Sequence, residues 1–238
     1  MKTKLSVGDT LGEVFSIYRD QAGVLLPVAF WLFLGVAILE ALTEEVVVGF
    51  LLAIVLSLVV ATLYQGMVVG LVQDVQDGRR DSSVSDLMRS VAPVVLPLLG
   101  AGLIIGVGAG IGFLLLVVPG LYLITIWAVT APVIVVERRG VFDALGRSRQ
   151  LVRGSGWPVL GVLVLTFLIT AVVGAALALL ANAIADSEIL AIVLSVLGTT
   201  VTAPIAALVA SVLYFRLLEI REREEPASVP EQGGDGLG

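Results

Sequence analysis

PGLYLITIWAVTAPVIVVERRGVFDALGRSRQLVRGSGWPVLG, residues 119–161, is the stretch that decides the fold class. An apolar segment runs into Glu137, Arg138 and Arg139, a short polar helix follows, and at Trp157-Pro158 the chain turns apolar again. That order is a membrane span, a charged interfacial segment and the start of the next span. Working outward, the same alternation fills the chain.

Of 238 residues, 58% are hydrophobic and 14% charged, against about 25% charged in an ordinary soluble domain. The mean hydropathy of +1.06 comes from long apolar runs. Each span needs about 20 apolar residues, and several runs reach that length. None shows the two-residue alternation of barrel strands, so backbone polar groups in hydrocarbon must be satisfied within helices. The sequence predicts an all-α membrane protein with six transmembrane helices, at about residues 24–42, 46–72, 94–117, 119–136, 157–181 and 189–216. Glu44-Glu45, the Pro119-Gly120 pair and the polar residues 186–188 mark the turns at one end.

Charge placement sets the expected orientation. All 14 basic residues lie near the N-terminus, in the loops holding Arg79, Arg80 and Arg89 or Arg138 to Arg153, or from Arg216 onward. The alternate turns, around Glu44, Pro119 and Asp186, hold none. The positive-inside rule then predicts both termini in the cytoplasm of a multi-pass inner-membrane protein. Residues 1–216 are expected to form the membrane domain and 217–238 a disordered acidic cytoplasmic tail.

Residues 6–20 read as an amphipathic helix, with Val7, Leu11, Val14, Phe15 and Tyr18 on one side and Ser6 as its cap. It either lies in the interface or packs on the bundle. Ser6-Val7-Gly8-Asp9-Thr10-Leu11, Ser83-Val84-Ser85-Asp86-Leu87-Met88 and Gly140-Val141-Phe142-Asp143-Ala144-Leu145 align without gaps. Each stands before an outward-going span, which suggests three units of interfacial helix plus hairpin. In the third span, Gly102, Gly106 and Gly110 have the small-xxx-small spacing that lets helices approach closely.

Histidine and cysteine are both absent, and Lys2 and Lys4 are the only lysines. Thiol nucleophiles, histidine bases and the usual zinc or haem ligand sets are therefore excluded. The expectation is a non-enzyme with no catalytic residues, no metal, no cofactor and no nucleic-acid partner. The interiors of the spans hold no Lys or Arg, which weighs against a proton-driven pump. Two polar groupings stand out. Thr199, Thr200, Thr202 and Pro204 can break the sixth helix where a substrate path would run. Arg147, Arg149 and Arg153 form a candidate anionic-lipid site, because helix 141–153 puts Arg149 and Arg153 on the margin of an apolar face beside the inner leaflet. The alternative is that these arginines only anchor topology or pair with Glu137 and Asp143.

PGLYL, WAVTAPVIVVE, GVFDALGRSRQLVRGSGWPVLG and the N-terminal GDTLGEVFSIYRDQAGVLL resemble the membrane domain fused to some bacterial glycerophosphoryl diester phosphodiesterases, and its stand-alone relatives. The likeness covers residues 8–216. In that family hydrolysis belongs to a separate soluble domain, so the resemblance implies no catalytic residues here. It implies a scaffolding or assisting role in glycerophospholipid or envelope metabolism, with membrane lipids and a separate lipid-metabolising or envelope protein as partners. A transporter or lipid-translocating permease is the other function considered.

Overall fold

The computed structural model describes residues 5–43, 47–78, 84–184 and 188–224. The expected turns at Glu44-Glu45 and Asp186, together with Ser83 and the basic residues Lys2, Lys4, Arg79 and Arg80, lie outside the described residues. The elements are α1 (Val7–Thr43), α2 (Val47–Gln76), α3 (Val84–Val91), a short 3-10 turn (Ala92–Val94), α4 (Val95–Leu115), α5 (Val117–Ile126), α6 (Thr130–Glu137), α7 (Val141–Val152), α8 (Gly156–Ile184) and α9 (Glu188–Glu224). The described residues contain no strand. Six segments are long and apolar enough to cross a membrane, α3 with α4 and α5 with α6 each counting once. The chain is a multi-pass, all-α membrane protein.

α9 is the central element, packing on α1, α2, α6, α7 and α8. Its Leu208, Leu213, Tyr214 and Leu217 join Val14 and Leu25 of α1, Met67 and Val68 of α2, and Ile134 of α6 in one core. Around it, large apolar side chains such as Leu42, Phe113, Leu114 and Phe167 face outward, as suits lipid rather than water.

The first predicted unit differs from expectation. No separate interfacial helix precedes the first span, because α1 runs unbroken from Val7 to Thr43 through Pro27. Ser6 does cap it, its Oγ accepting the Asp9 N–H at 3.4 Å. Leu11 and Val14 are buried, but Phe15 points outward and the Tyr18 hydroxyl donates to the Val201 carbonyl at 3.0 Å. The early turns of α1 are thus held against α9. In the second unit α3 passes into α4 through the 3-10 turn. Only α7 is set apart on both sides, by Arg138 at φ 54° and by Gly154 at φ 92°, the left-handed values that end a helix. The predicted tail is also shorter, since α9 stays helical to Glu224; residues 225–238 are outside the described residues.

Prolines account for the breaks. Pro97, Pro119, Pro132 and Pro158 each occupy the third position of α4, α5, α6 and α8, where their missing N–H would have had no intrahelical partner. The turn expected at Pro119-Gly120 falls instead at Leu116, whose backbone is extended, and Pro119-Gly120 opens α5. The fourth span, read as continuous in the sequence, is broken at residues 127–129 just before α6.

Glycine packing in α4 also departs from the expected register. A Cβ at Gly102, Gly106 or Gly110 would meet nothing within 4 Å. Contact runs instead along Gly100, Gly108 and Gly112. A Cβ on Gly112 would lie 2.9 Å from the Cα of Gly120, so α4 and α5 touch backbone to backbone there.

Candidate functional site

α7 begins after extended Gly140, carries Asp143 in its first turn and Arg149 in its last, and so matches charge to dipole at both ends. Its buried face is Ala144, Leu145, Ser148, Leu151 and Val152. Ser148 is fully buried, and its Oγ donates to the Ile126 carbonyl at 2.8 Å. Ile126 is the last residue of α5, where a helix leaves carbonyls without intrahelical donors. α7 therefore supplies a hydrogen bond that the broken fourth span needs. Within the break, the Trp127 carbonyl accepts both the N–H and the hydroxyl of Thr130, at 3.1 and 2.9 Å.

The three residues that end the span do three jobs. Glu137 accepts from Arg139 Nε at 2.5 Å, Arg147 Nε at 3.1 Å and the Tyr214 hydroxyl at 3.2 Å. Arg138, in the left-handed conformation, sends Nη1 to the Ser90 carbonyl at 2.8 Å, joining α6 to α3. Arg139 stays half-exposed beside Glu137. Arg147 is accordingly not part of a lipid-facing set: its side chain is 29% exposed and turned to Glu137. Placement explains the correction, since Arg147 and Arg149 project from different sides of α7, and only the former faces a carboxylate.

Arg149 and Arg153 are exposed, and neither side chain makes an ion pair or hydrogen bond among the described residues. The alternative pairing with Asp143 is not made by either. The α7 carbonyls of Gln150 and Arg153 are capped by Nη2 of Arg221, which ties the C-terminal end of α9 to this corner. Trp157, in the first turn of α8, is 85% exposed.

A second polar tie was not singled out in the sequence. Arg216 Nε donates to Glu13 Oε2 at 2.7 Å, its Nη2 to the Asp9 carbonyl at 3.1 Å, and Gln76 Nε2 to Glu13 Oε1 at 3.0 Å. The signal available was an acid near the start of one helix and an arginine near the end of another, at the same end of the bundle.

The Thr199 to Pro204 cluster does not break α9, which is helical throughout. Each hydroxyl is satisfied by its own helix: Thr199 by Ser195, Thr200 by Val196 and Thr202 by Gly198, at 3.2, 2.7 and 3.0 Å. Pro204 removes one backbone donor, and flanking packing keeps the helix continuous. Thr199 and Thr202 do line a cavity of about 370 Å³ between α8 and α9, with Gly174, Leu177, Ser195 and Gly198.

Comparison with known proteins yields no matching family model, no matching curated relative and no matching solved structure. What the fold defines is a class, a six-span helical membrane protein.

Proposed function

We propose that this chain is a non-catalytic membrane module of a bacterial inner membrane that holds an anionic phospholipid at the corner where α7 meets α8, and so assists glycerophospholipid or envelope metabolism. The carrying observation is that Arg149 and Arg153 are exposed and have no partner among the described residues, beside an exposed tryptophan. Guanidinium groups suit phosphate by charge and by their paired donors, and tryptophan favours the headgroup level. The lack of histidine and cysteine supports a non-enzymatic role. With the basic end in the cytoplasm, following the positive-inside rule, both termini are cytoplasmic and the site faces the inner leaflet. The resemblance to phosphodiesterase-linked membrane domains is the ground for naming lipid metabolism and a soluble lipid-metabolising partner.

Each basic residue near an anionic surface contributes about 1 kcal/mol, so Arg149→Gln with Arg153→Gln loses about 2 kcal/mol, roughly a thirtyfold fall in lipid affinity. Native mass spectrometry of the purified protein should show phosphatidylglycerol retention falling while the melting temperature holds. Arg147→Gln should do the reverse. Unchanged retention in the double variant refutes the proposal.

A translocating permease is the second reading, favoured by the cavity between α8 and α9 and by the discontinuous fourth span. Lipid flux in proteoliposomes, lost on filling the cavity at Gly198, tests it.

A further inference from the structure

Between α5 and the start of α8 runs an apolar groove of about 540 Å³, lined among others by Leu121, Tyr122, Ile126, Gly154, Trp157 and Leu160. That volume lies within the range of about 300–1,000 Å³ typical of small-ligand sites. Tyr122 and Trp157 are exposed to more than half their surface and bring one hydroxyl and one indole N–H, and Thr125, the other polar side chain in the lining, already donates to the Leu121 carbonyl at 2.6 Å. The groove thus has little to offer a polar ligand.

We propose that this groove seats one acyl chain of the anionic phospholipid whose phosphate lies on Arg149 and Arg153. The inference rests on the headgroup reading above and deepens it by assigning the chain a place. The occupant follows from position and charge. Gly154, a wall residue, directly follows Arg153, and Arg149 stands one helical turn earlier. The Gly154 end of the groove is thus adjacent in the chain to exposed positive charge, and the rest of its lining belongs to helices long and apolar enough to span a membrane. Lipid tails are as apolar as leucine, so apolarity alone does not favour one lipid over another. Selection must come from the guanidinium groups, and the groove fixes the chain of the lipid they hold. Gly154, at φ 92°, turns the chain sharply and keeps this corner open where a side chain would be strained.

Trp157 is the reporter. Bromoacyl phosphatidylglycerol, added in a few equivalents to the full-length protein in detergent, should quench tryptophan emission saturably. The saturable part should vanish in Trp157→Phe, which leaves Trp31 and Trp127 as background. It should fall at least tenfold in apparent affinity in Gly156→Leu, because a Cβ at Gly156 meets nothing within 4 Å and a leucine there takes groove space without displacing protein atoms. If Gly156→Leu does not fold, the comparison of wild type with Trp157→Phe carries the test. Equal saturable quenching by bromoacyl phosphatidylcholine would keep the chain groove and overturn the headgroup reading. Quenching that does not saturate, or that is the same in Trp157→Phe, overturns the groove, even where arginine-dependent retention of phosphatidylglycerol persists and the headgroup reading stands.

Discussion

Valine placed at two glycines of α4 should have different effects, although both sites lie in one apolar helix. At Gly112, a Cβ would sit 2.9 Å from Gly120 Cα, 3.0 Å from Gly120 N and 3.2 Å from the Pro119 carbonyl carbon. Carbon atoms prefer about 3.5–4.0 Å, and backbone atoms cannot swing aside as a side chain can, so α4 and α5 must part by roughly 1 Å. Overpacking of this kind costs about 1–3 kcal/mol, and valine's three carbons push towards the upper end. Helix propensity returns only a few tenths, since valine is about 0.4 kcal/mol better than glycine in a helix. Gly112→Val should therefore lose about 2–3 kcal/mol. At Gly106 the same substitution meets no neighbour within 4 Å and should change stability by less than about 0.5 kcal/mol. Equilibrium unfolding in mixed micelles with increasing dodecyl sulfate measures both on one scale. If Gly106→Val loses as much as Gly112→Val, the α4–α5 register described above is wrong and the sequence-spaced glycines are the packing face after all.

Glu137→Gln should lower stability by about 1–3 kcal/mol, because Arg147 and the buried Tyr214 hydroxyl lose a charged acceptor, and a double-mutant cycle with Tyr214→Phe should show coupling above about 0.5 kcal/mol. Additivity of the two substitutions in the same unfolding assay would break the link. Ser148→Ala should cost about 1–3 kcal/mol by leaving the Ile126 carbonyl of the broken span without its donor, whereas equally buried Ser211→Ala should be nearly neutral, since its hydroxyl only doubles a carbonyl of its own helix. Equal effects at the two serines would remove the case for α7 as a brace of the break.

The spans were legible because hydrophobic run length and the siting of basic residues are properties of the chain itself. The break in the fourth span was also written there, in Pro132. A proline at the third helical position implies a helix start, and the same rule places the starts of α4, α5 and α8. Pro27 and Pro204 show why that rule does not suffice: both lie inside helices that continue, and only their neighbours decide. Glycine spacing failed for a similar reason. Gly102, Gly106 and Gly110 satisfy the pattern as well as Gly108 and Gly112 do, but which stripe faces a partner depends on how α5 returns from Leu116. For the Thr199 to Pro204 cluster, residue type promised a break, while hydroxyls that bond four residues back made local satisfaction cheaper.

The candidate site divides along the same line between what a chain carries and what folding brings near. Sequence placed Arg147, Arg149 and Arg153 together, and a helical wheel set the latter two apart from the first. What it did not contain was Glu137 returning over α7 with Tyr214 behind it. The long-range arginine ties collect at the basic end: Glu13 with Arg216, Glu137 with Arg147, and Arg221 on the last carbonyls of α7. Charges near an interface avoid the full desolvation that the bilayer centre imposes, so strong ties are affordable there and not deeper. Once Glu137 has taken two arginines, α7 offers Asp143 as its own acid, and at six and ten residues' separation it lies about 120° and about 80° round the helix from Arg149 and Arg153, off the three- and four-residue spacings at which side chains meet. The bundle thus uses its nearest carboxylate on the inward arginine, and on the proposed reading the outward pair is left to a ligand that brings its own negative charge. On this argument an acid introduced on the outward face, as in Gln150→Glu, should compete with lipid phosphate for Arg149 and Arg153, and lower phosphatidylglycerol retention without removing either arginine.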